Sequence, residues 1–264
     1  RVCDAVMAGN GAMARGVYAI TGGLGGLGLR AATMLVNGGA SRVLLASRSG
    51  QVARDGQGGA VLQGPVTSVV HTTACDAGDV SSADMLFKRT SITGCLHAAG
   101  VLRDTMLRSM TAGGVDAVCA PKALAASHMQ AIMVRTPLEA FGLFSSVAST
   151  FGSVGQANYA AANAYLDALA RSRRCHGALV SSLQIPAVGG SGMGATTFDK
   201  EQLDAMGAIS LDEFASCLSI ALAPARAAMQ RTLAPLARDL LASTVTPPAL
   251  SELSHAKGER TLAT

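Results

Sequence analysis

The feature that most constrains this chain is a glycine cluster, Gly23-x-Gly25-x-x-Gly28, set between an apolar run and an amphipathic one. Val17-Tyr18-Ala19-Ile20-Thr21 reads as a buried strand, and Leu27 to about Asn37 as a helix that Gly38-Gly39 stops. Glycine permits the tight strand-to-helix turn between them and lets another group approach the backbone closely. A helix start behind such a turn presents unpaired N–H groups and the positive end of a dipole, which suits a phosphate. The spacing alone is a weak signal. A strand before it and a helix behind it make it a dinucleotide-type phosphate turn.

Strand and helix patterns go on alternating. Arg42 to Ser47, Val66 to Thr73, Thr93 to Ala98, a stretch within Leu138 to Ser146, and Leu179 to Ile185 read as further strands. Helical patterns run over Met85 to Thr90, Gly114 to Val134, Tyr159 to Arg174 and Leu211 to Leu222. The segments Gly50–Gly64 and Ala77–Thr93 are short for helices that should cover a sheet. The expected fold class is α/β: a single Rossmann-type, doubly wound parallel sheet with helices on both faces. Residues 16–241 form its body, with a loop or lid at about 189–210. Residues 1–15 form an N-terminal extension, and the polar 242–264 stretch with Pro247-Pro248 reads as a linker or tail.

Composition narrows the class. Of 264 residues, 49% are apolar and 14% charged, which argues against disorder along the whole chain. The net charge of +4 comes from scattered basic residues, not a stripe, so no nucleic-acid partner is expected. No apolar run reaches about 18 residues, and no signal-peptide pattern opens the chain, so no membrane span is expected. Cys3, Cys75, Cys95, Cys119, Cys175 and Cys217 show no metal-ligand spacing. Free thiols in an intracellular, cytoplasmic setting are the expectation, with an organelle left open. The chain begins at Arg1 without Met, which reads as a fragment, an excised domain or a processed chain.

The end of the second strand bears on the ligand. An NAD-binding chain commonly has a carboxylate there for the ribose 2′-OH. This one has Ser47-Arg48-Ser49, and a guanidinium suits a 2′-phosphate, so NADPH is favoured over NADH. Asp76, after the third strand, is placed either to meet the adenine amino group or to cap a turn or helix.

Three segments together carry a family resemblance. These are Thr21-Gly22-Gly23-Leu24-Gly25-Gly26-Leu27-Gly28, His97-Ala98-Ala99-Gly100-Val101, and Phe144-Ser145-Ser146 leading to Gly155-Gln156-Ala157-Asn158-Tyr159-Ala160-Ala161-Ala162-Asn163. The stretch from about 16 to 225 resembles the ketoreductase domains of polyketide synthases and animal-type fatty acid synthases, within the short-chain dehydrogenase/reductase superfamily. The resemblance implies reduction of a β-ketoacyl thioester, held by phosphopantetheine on an acyl carrier protein, with NADPH. It places Ala98, Ala99, Gly100 and Pro186 with the glycine turn at the cofactor.

In this reading Tyr159 donates the proton, and a phenol needs a cation beside it to do so near neutrality. Ser146, thirteen residues earlier at a strand end, binds the carbonyl oxygen; Ser145 points to the other face. Ordinary members place Lys four residues after the tyrosine, where this chain has Asn163. Lys122, one of four lysines, lies where the ketoreductase domains carry theirs. It is expected to lower the Tyr159 pKa and to contact the nicotinamide ribose, while Asn163 anchors a water or proton relay.

Leu102-Arg103-Asp104 resembles the Leu-Asp-Asp signature of B-type domains, without its middle residue. Phe151 stands where A-type domains have Trp, and Gln156 where a His is associated with an epimerised α-methyl. A D-configured hydroxyl is implied, although Asp104 serves equally as a helix N-cap. Met193, Phe198 and Met206 either line a lid over substrate or pack as ordinary apolar residues. Other synthase domains are implied partners, and so is a structural ketoreductase subdomain outside this chain. Two further readings stand beside this one: a stand-alone reductase of a small ketone or coenzyme A ester, and a non-catalytic NADPH-binding scaffold.

Overall fold

In a computed structural model, residues 15–52, 68–88, 91–134, 138–190, 192, 199–205, 207–222 and 231–232 are described. The chain divides into two units, Arg1–Thr232 and Leu233–Thr264, and all described residues lie in the first. The expected readings at Met193, Phe198, Met206 and the 242–264 tail, and most of the Gly50–Gly64 segment, fall outside the described residues.

The apolar runs become the strands of one sheet. They are β1 (Val17–Thr21), β2 (Arg42–Ser47), β3 (Val70–Ala74), β4 (Gly94–His97), β5 (Ala140–Ser146), β6 (Val180–Ile185) and β7 (Arg231–Thr232). Their order is β3-β2-β1-β4-β5-β6-β7, and every pairing is parallel. β4 and β5 are buried almost throughout, as strands covered on both faces must be. β6 breaks the apolar rule: Ser181, Ser182 and Gln184 are buried in it, each with hydrogen-bond partners. The core is aliphatic, and its described aromatic pair is Phe144 against Phe214, edge to face at 5.5 Å.

The helices are α1 (Gly26–Asn37), α2 (Val80–Lys88), α3 (Ala112–Cys119), α4 (Ala125–Met133), α5 (Ala148–Phe151), α6 (Ala157–Cys175), α7 (Lys200–Ala205) and α8 (Leu211–Leu222). Three expectations need correction. The third strand starts at Val70, not Val66. α2 starts five residues before Met85, because the Asp79 carboxylate accepts the Ser82 N–H at 2.8 Å and caps the turn. The long helix expected over Gly114–Val134 is interrupted between α3 and α4 by a π-helical turn, Ala120–Leu124. Periodicity averages over such a one-residue disturbance and does not register it.

Chain order reverses at β1, whose neighbours are β2 on one side and β4 on the other. The crevice outside the carboxyl ends of strands at such a switch point is where open α/β sheets bind ligands. Among the described residues, no helix is long and apolar enough to cross a membrane, and no cluster could hold a metal ion. The described cysteines are free.

Candidate active site

Two adjoining cavities open at the carboxyl edge of the sheet. The larger, about 1020 Å³, is lined by Thr21, Gly22, Leu24, Gly25, Gly26, Leu27 and Gly28 from the β1–α1 turn. Ser47, Arg48, Asp76, Ala98, Ala99 and Gly100 complete the sequence-expected part of its wall. Gly23 does not line it. Its N–H donates to the Ala46 carbonyl oxygen at 3.1 Å, and a Cβ there would meet the Ile20 oxygen at 2.6 Å. Gly22 has φ of +70°, and a Cβ on Gly28 would fall 2.6 Å from the Gly22 oxygen and the Gly23 Cα. At Gly22, Gly23 and Gly28 the turn therefore closes only with glycine.

α1 begins without a side-chain cap and with no acidic residue in its first turn, so its leading N–H groups stay available to an anion. Arg48 is exposed at the cavity wall, with no carboxylate in the Ser47-Arg48-Ser49 run. Asp76 lines the same wall while its Oδ1 accepts the Gly78 N–H at 2.9 Å, so the turn role is realised whatever else it binds. A long glycine-floored cleft, a bare helix start and a cation at the far wall fit a phosphorylated dinucleotide.

The smaller cavity, about 200 Å³, shares Leu27 and Ala98 with the larger. It is lined by Lys122, Ser146, Gln156 and Tyr159, from the π turn, the end of β5, the residue before α6 and the first turn of α6. Three of the four side chains expected at the chemistry thus meet at one cavity. Pro186, expected with the glycine turn, lines this cavity and not the larger one.

Lys122 is 3% exposed, and among the described residues no carboxylate pairs with its ammonium. Its Nζ donates to the Phe144 carbonyl oxygen at 2.8 Å and stands 5.3 Å from the Tyr159 ring centroid, over the face. Burial brings the ammonium down from the ordinary lysine value to about 7, with Asp167 pulling the other way. Gly100 makes room for it: a Cβ there would meet Lys122 Cε at 2.7 Å. The π turn widens the helix where this lysine turns inward, a recurrent placement for such turns.

The expected lowering of the Tyr159 pKa by Lys122 is not what the site produces. Burial raises the phenol above its ordinary value, hydrogen bonding with Asn163 and Ser146 opposes this, and the Asp104 charge adds to the rise. The expectation counted the cation and left out the desolvation that the same apolar walls impose.

Asn163 lies one turn along α6, fully buried, and does not line the cavity. Its Nδ2 donates to the Tyr159 carbonyl oxygen at 2.8 Å, and its Oδ1 accepts no hydrogen bond from the described residues. Ser145 is occupied elsewhere: its hydroxyl donates to the Asn163 carbonyl oxygen at 3.2 Å. That leaves Ser146 as the strand-end hydroxyl next to the phenol.

Asp104 caps no helix; Thr111 caps α3. Its Oδ2 accepts the Gln156 amide at 2.8 Å, which joins two positions expected to steer the substrate. The same two loops are bound by Thr105 N–H to the Gly155 oxygen at 2.8 Å and by Asn158 Nδ2 to the Arg103 oxygen at 2.9 Å. Phe151 is 45% exposed and lines neither cavity, so the structure does not bring it to the site.

Sequence reasoning named His97 only as part of a motif. The ring is fully buried and its Nε2 lies 3.0 Å from the Lys122 carbonyl oxygen. A carbonyl can only accept, so Nε2 carries the hydrogen. Burial, helped by the Lys122 charge, lowers the ring to about 3, so it is neutral and Nδ1 accepts from the Thr21 hydroxyl at 2.7 Å. This neutral ring ties the glycine turn to the π turn.

The KR domain model matches residues 16–190. The chain belongs to the KR domain family. Its relatives include polyketide synthases and, among solved structures, polyketide synthase ketoreductases. The spectinabilin polyketide synthase system protein NorB of Streptomyces orinoci is 35% identical over 93% of this chain. The 6-methylsalicylic acid synthase AOL_s00215g283 of Arthrobotrys oligospora is 35% identical over 76%. The chain spans 12% of each of these proteins.

Among solved structures, an A-type ketoreductase from a modular polyketide synthase is 35% identical with a TM-score of 0.70, over 80% of this chain and 46% of that one. The first ketoreductase of the tylosin synthase is 30% identical with a TM-score of 0.72, over 84% and 49%. This KR domain thus has the short-chain dehydrogenase/reductase fold of polyketide synthase ketoreductases.

Proposed function

We propose that this KR domain reduces the β-keto group of an acyl thioester, borne on the phosphopantetheine of an acyl carrier protein, to a β-hydroxyl with NADPH. The observation that carries the reading is the meeting of Ser146, Tyr159 and Lys122 on one small cavity continuous with the glycine-floored cleft. In it, residues 16–241 act as the catalytic domain beside other synthase domains, in an intracellular setting.

The turn Thr21–Gly28 and the α1 amides would hold the pyrophosphate, Arg48 the 2′-phosphate, and the Asp76 wall the adenine. When bound, the reduced nicotinamide supplies the hydride to the carbonyl carbon. Ser146 donates a hydrogen bond to the carbonyl oxygen and orients it. Tyr159 gives its hydroxyl proton to that oxygen. The Lys122 ammonium, over the ring, offsets the charge left on the phenolate, which burial alone would disfavour. Asn163 Oδ1, a buried acceptor with capacity to spare, fits the return path of the proton. Gln156 lines the cavity and donates to Asp104, and the resemblance of Leu102-Arg103-Asp104 to the B-type signature favours a D-configured product.

The test is NADPH oxidation with a β-ketoacyl thioester surrogate. Turnover supports the reading, and cofactor binding without turnover would leave only a scaffold. Faster turnover of a carrier-bound than of a free thioester supports the carrier-protein substrate. Chiral analysis of the product decides the configuration.

A further inference from the structure

Asp167 lies on α6, four residues past Asn163 and eight past Tyr159, so all three share one face of the helix. It is 5% exposed, and among the described residues no basic side chain pairs with it. Its neighbours instead hand it hydrogen-bond donors. On β6, the Ser182 hydroxyl donates to Oδ1 and the Gln184 amide to Oδ2 at 2.8 Å. From α5, the Ser149 hydroxyl lies 2.7 Å from Oδ2.

That hydroxyl is also 2.8 Å from the Ser146 carbonyl oxygen, so one proton serves two acceptors. Gln184 further reaches the hydroxyls of Ser149 and Thr150, at 3.0 and 2.8 Å. The turn that follows Ser146 is therefore fastened, through Ser149, to the helix that carries Tyr159. A buried carboxylate costs several kcal/mol unless every lone pair is used, which makes this a demanding way merely to pack a helix on a sheet.

We propose that Asp167 is a positioning residue of the active site, which fixes the Ser146 turn against the Tyr159 helix through Ser149. The proposal rests on the catalytic reading above.

The test uses Ser149→Ala, which keeps the carboxylate. Its kcat should fall about tenfold with KM for NADPH unchanged. Wild-type kcat with only a lower Tm would make the network structural and overturn the proposal. If the wild-type chain turns over no ketone, the catalytic reading fails and this proposal with it; turnover by the wild type that Ser149→Ala matches sinks this proposal alone.

Discussion

The two cavities are built by different means. The large one is a backbone device: glycines that admit no Cβ, helix N–H groups without a cap, and one exposed guanidinium at its wall. The small one is a side-chain device, in which Lys122, Ser146 and Tyr159 come from three separate elements and are held by buried polar contacts. A backbone site is specified by local sequence and tolerates most change outside its turn. A side-chain site depends on residues that never touch the ligand.

The largest effect should fall on the small cavity alone. Tyr159→Phe should lower kcat by at least about 10²-fold, since general acid catalysis typically contributes that much, while NADPH still quenches or shifts fluorescence as in the wild type. Loss of binding together with turnover would merge the two regions into one. Arg48→Ala probes the reverse: KM for NADPH should rise about tenfold or more and KM for NADH much less, with kcat kept. Equal changes would remove the 2′-phosphate from the cavity wall.

Lys122 links rate to stability through pH. Its folded value of about 7 lies below its ordinary 10.5, so between those values the unfolded chain holds a proton that the folded one lacks. Stability should therefore rise with pH across that window, while kcat/KM should fall as the pH passes about 7 and the cation is lost. Lys122→Met should abolish reduction yet raise Tm at pH 6, because a buried ammonium is removed; differential scanning fluorimetry at two pH values checks this. The smallest effect belongs to Phe151→Ala. Exposed and outside both cavities, it should change stability by less than about 0.5 kcal/mol and leave kcat and product configuration alone.

Legibility in the sequence follows the same division. β1, β2 and α8 stand where the pattern puts them, and the glycine turn could be read within a dozen residues, because its causes are local. Tyr159, Ser146 and Lys122 were legible only through a family resemblance, since nothing in the chain between residues 122 and 146 announces that they will meet. The raised phenol of Tyr159 could not be read at all: it depends on how much apolar wall surrounds the hydroxyl, which is a property of packing. Asp167 left one trace, a third polar residue at four-residue spacing behind Tyr159 and Asn163 among apolar neighbours. Its partners on β6 were hidden because buried serines and a glutamine in a central strand run against the apolar pattern.

The wide turn from Ala120 to Leu124 makes the aim of Lys122 a matter of phase. Each residue of a regular helix advances the side-chain direction by about 100°, and this segment fits an additional one into its circuit. A chain shortened by one residue here would keep its sheet, its cleft and its amino-acid types, yet swing the ammonium off the aromatic face and along the helix surface. Between these positions the site is more vulnerable to a change in length than to a change in letter.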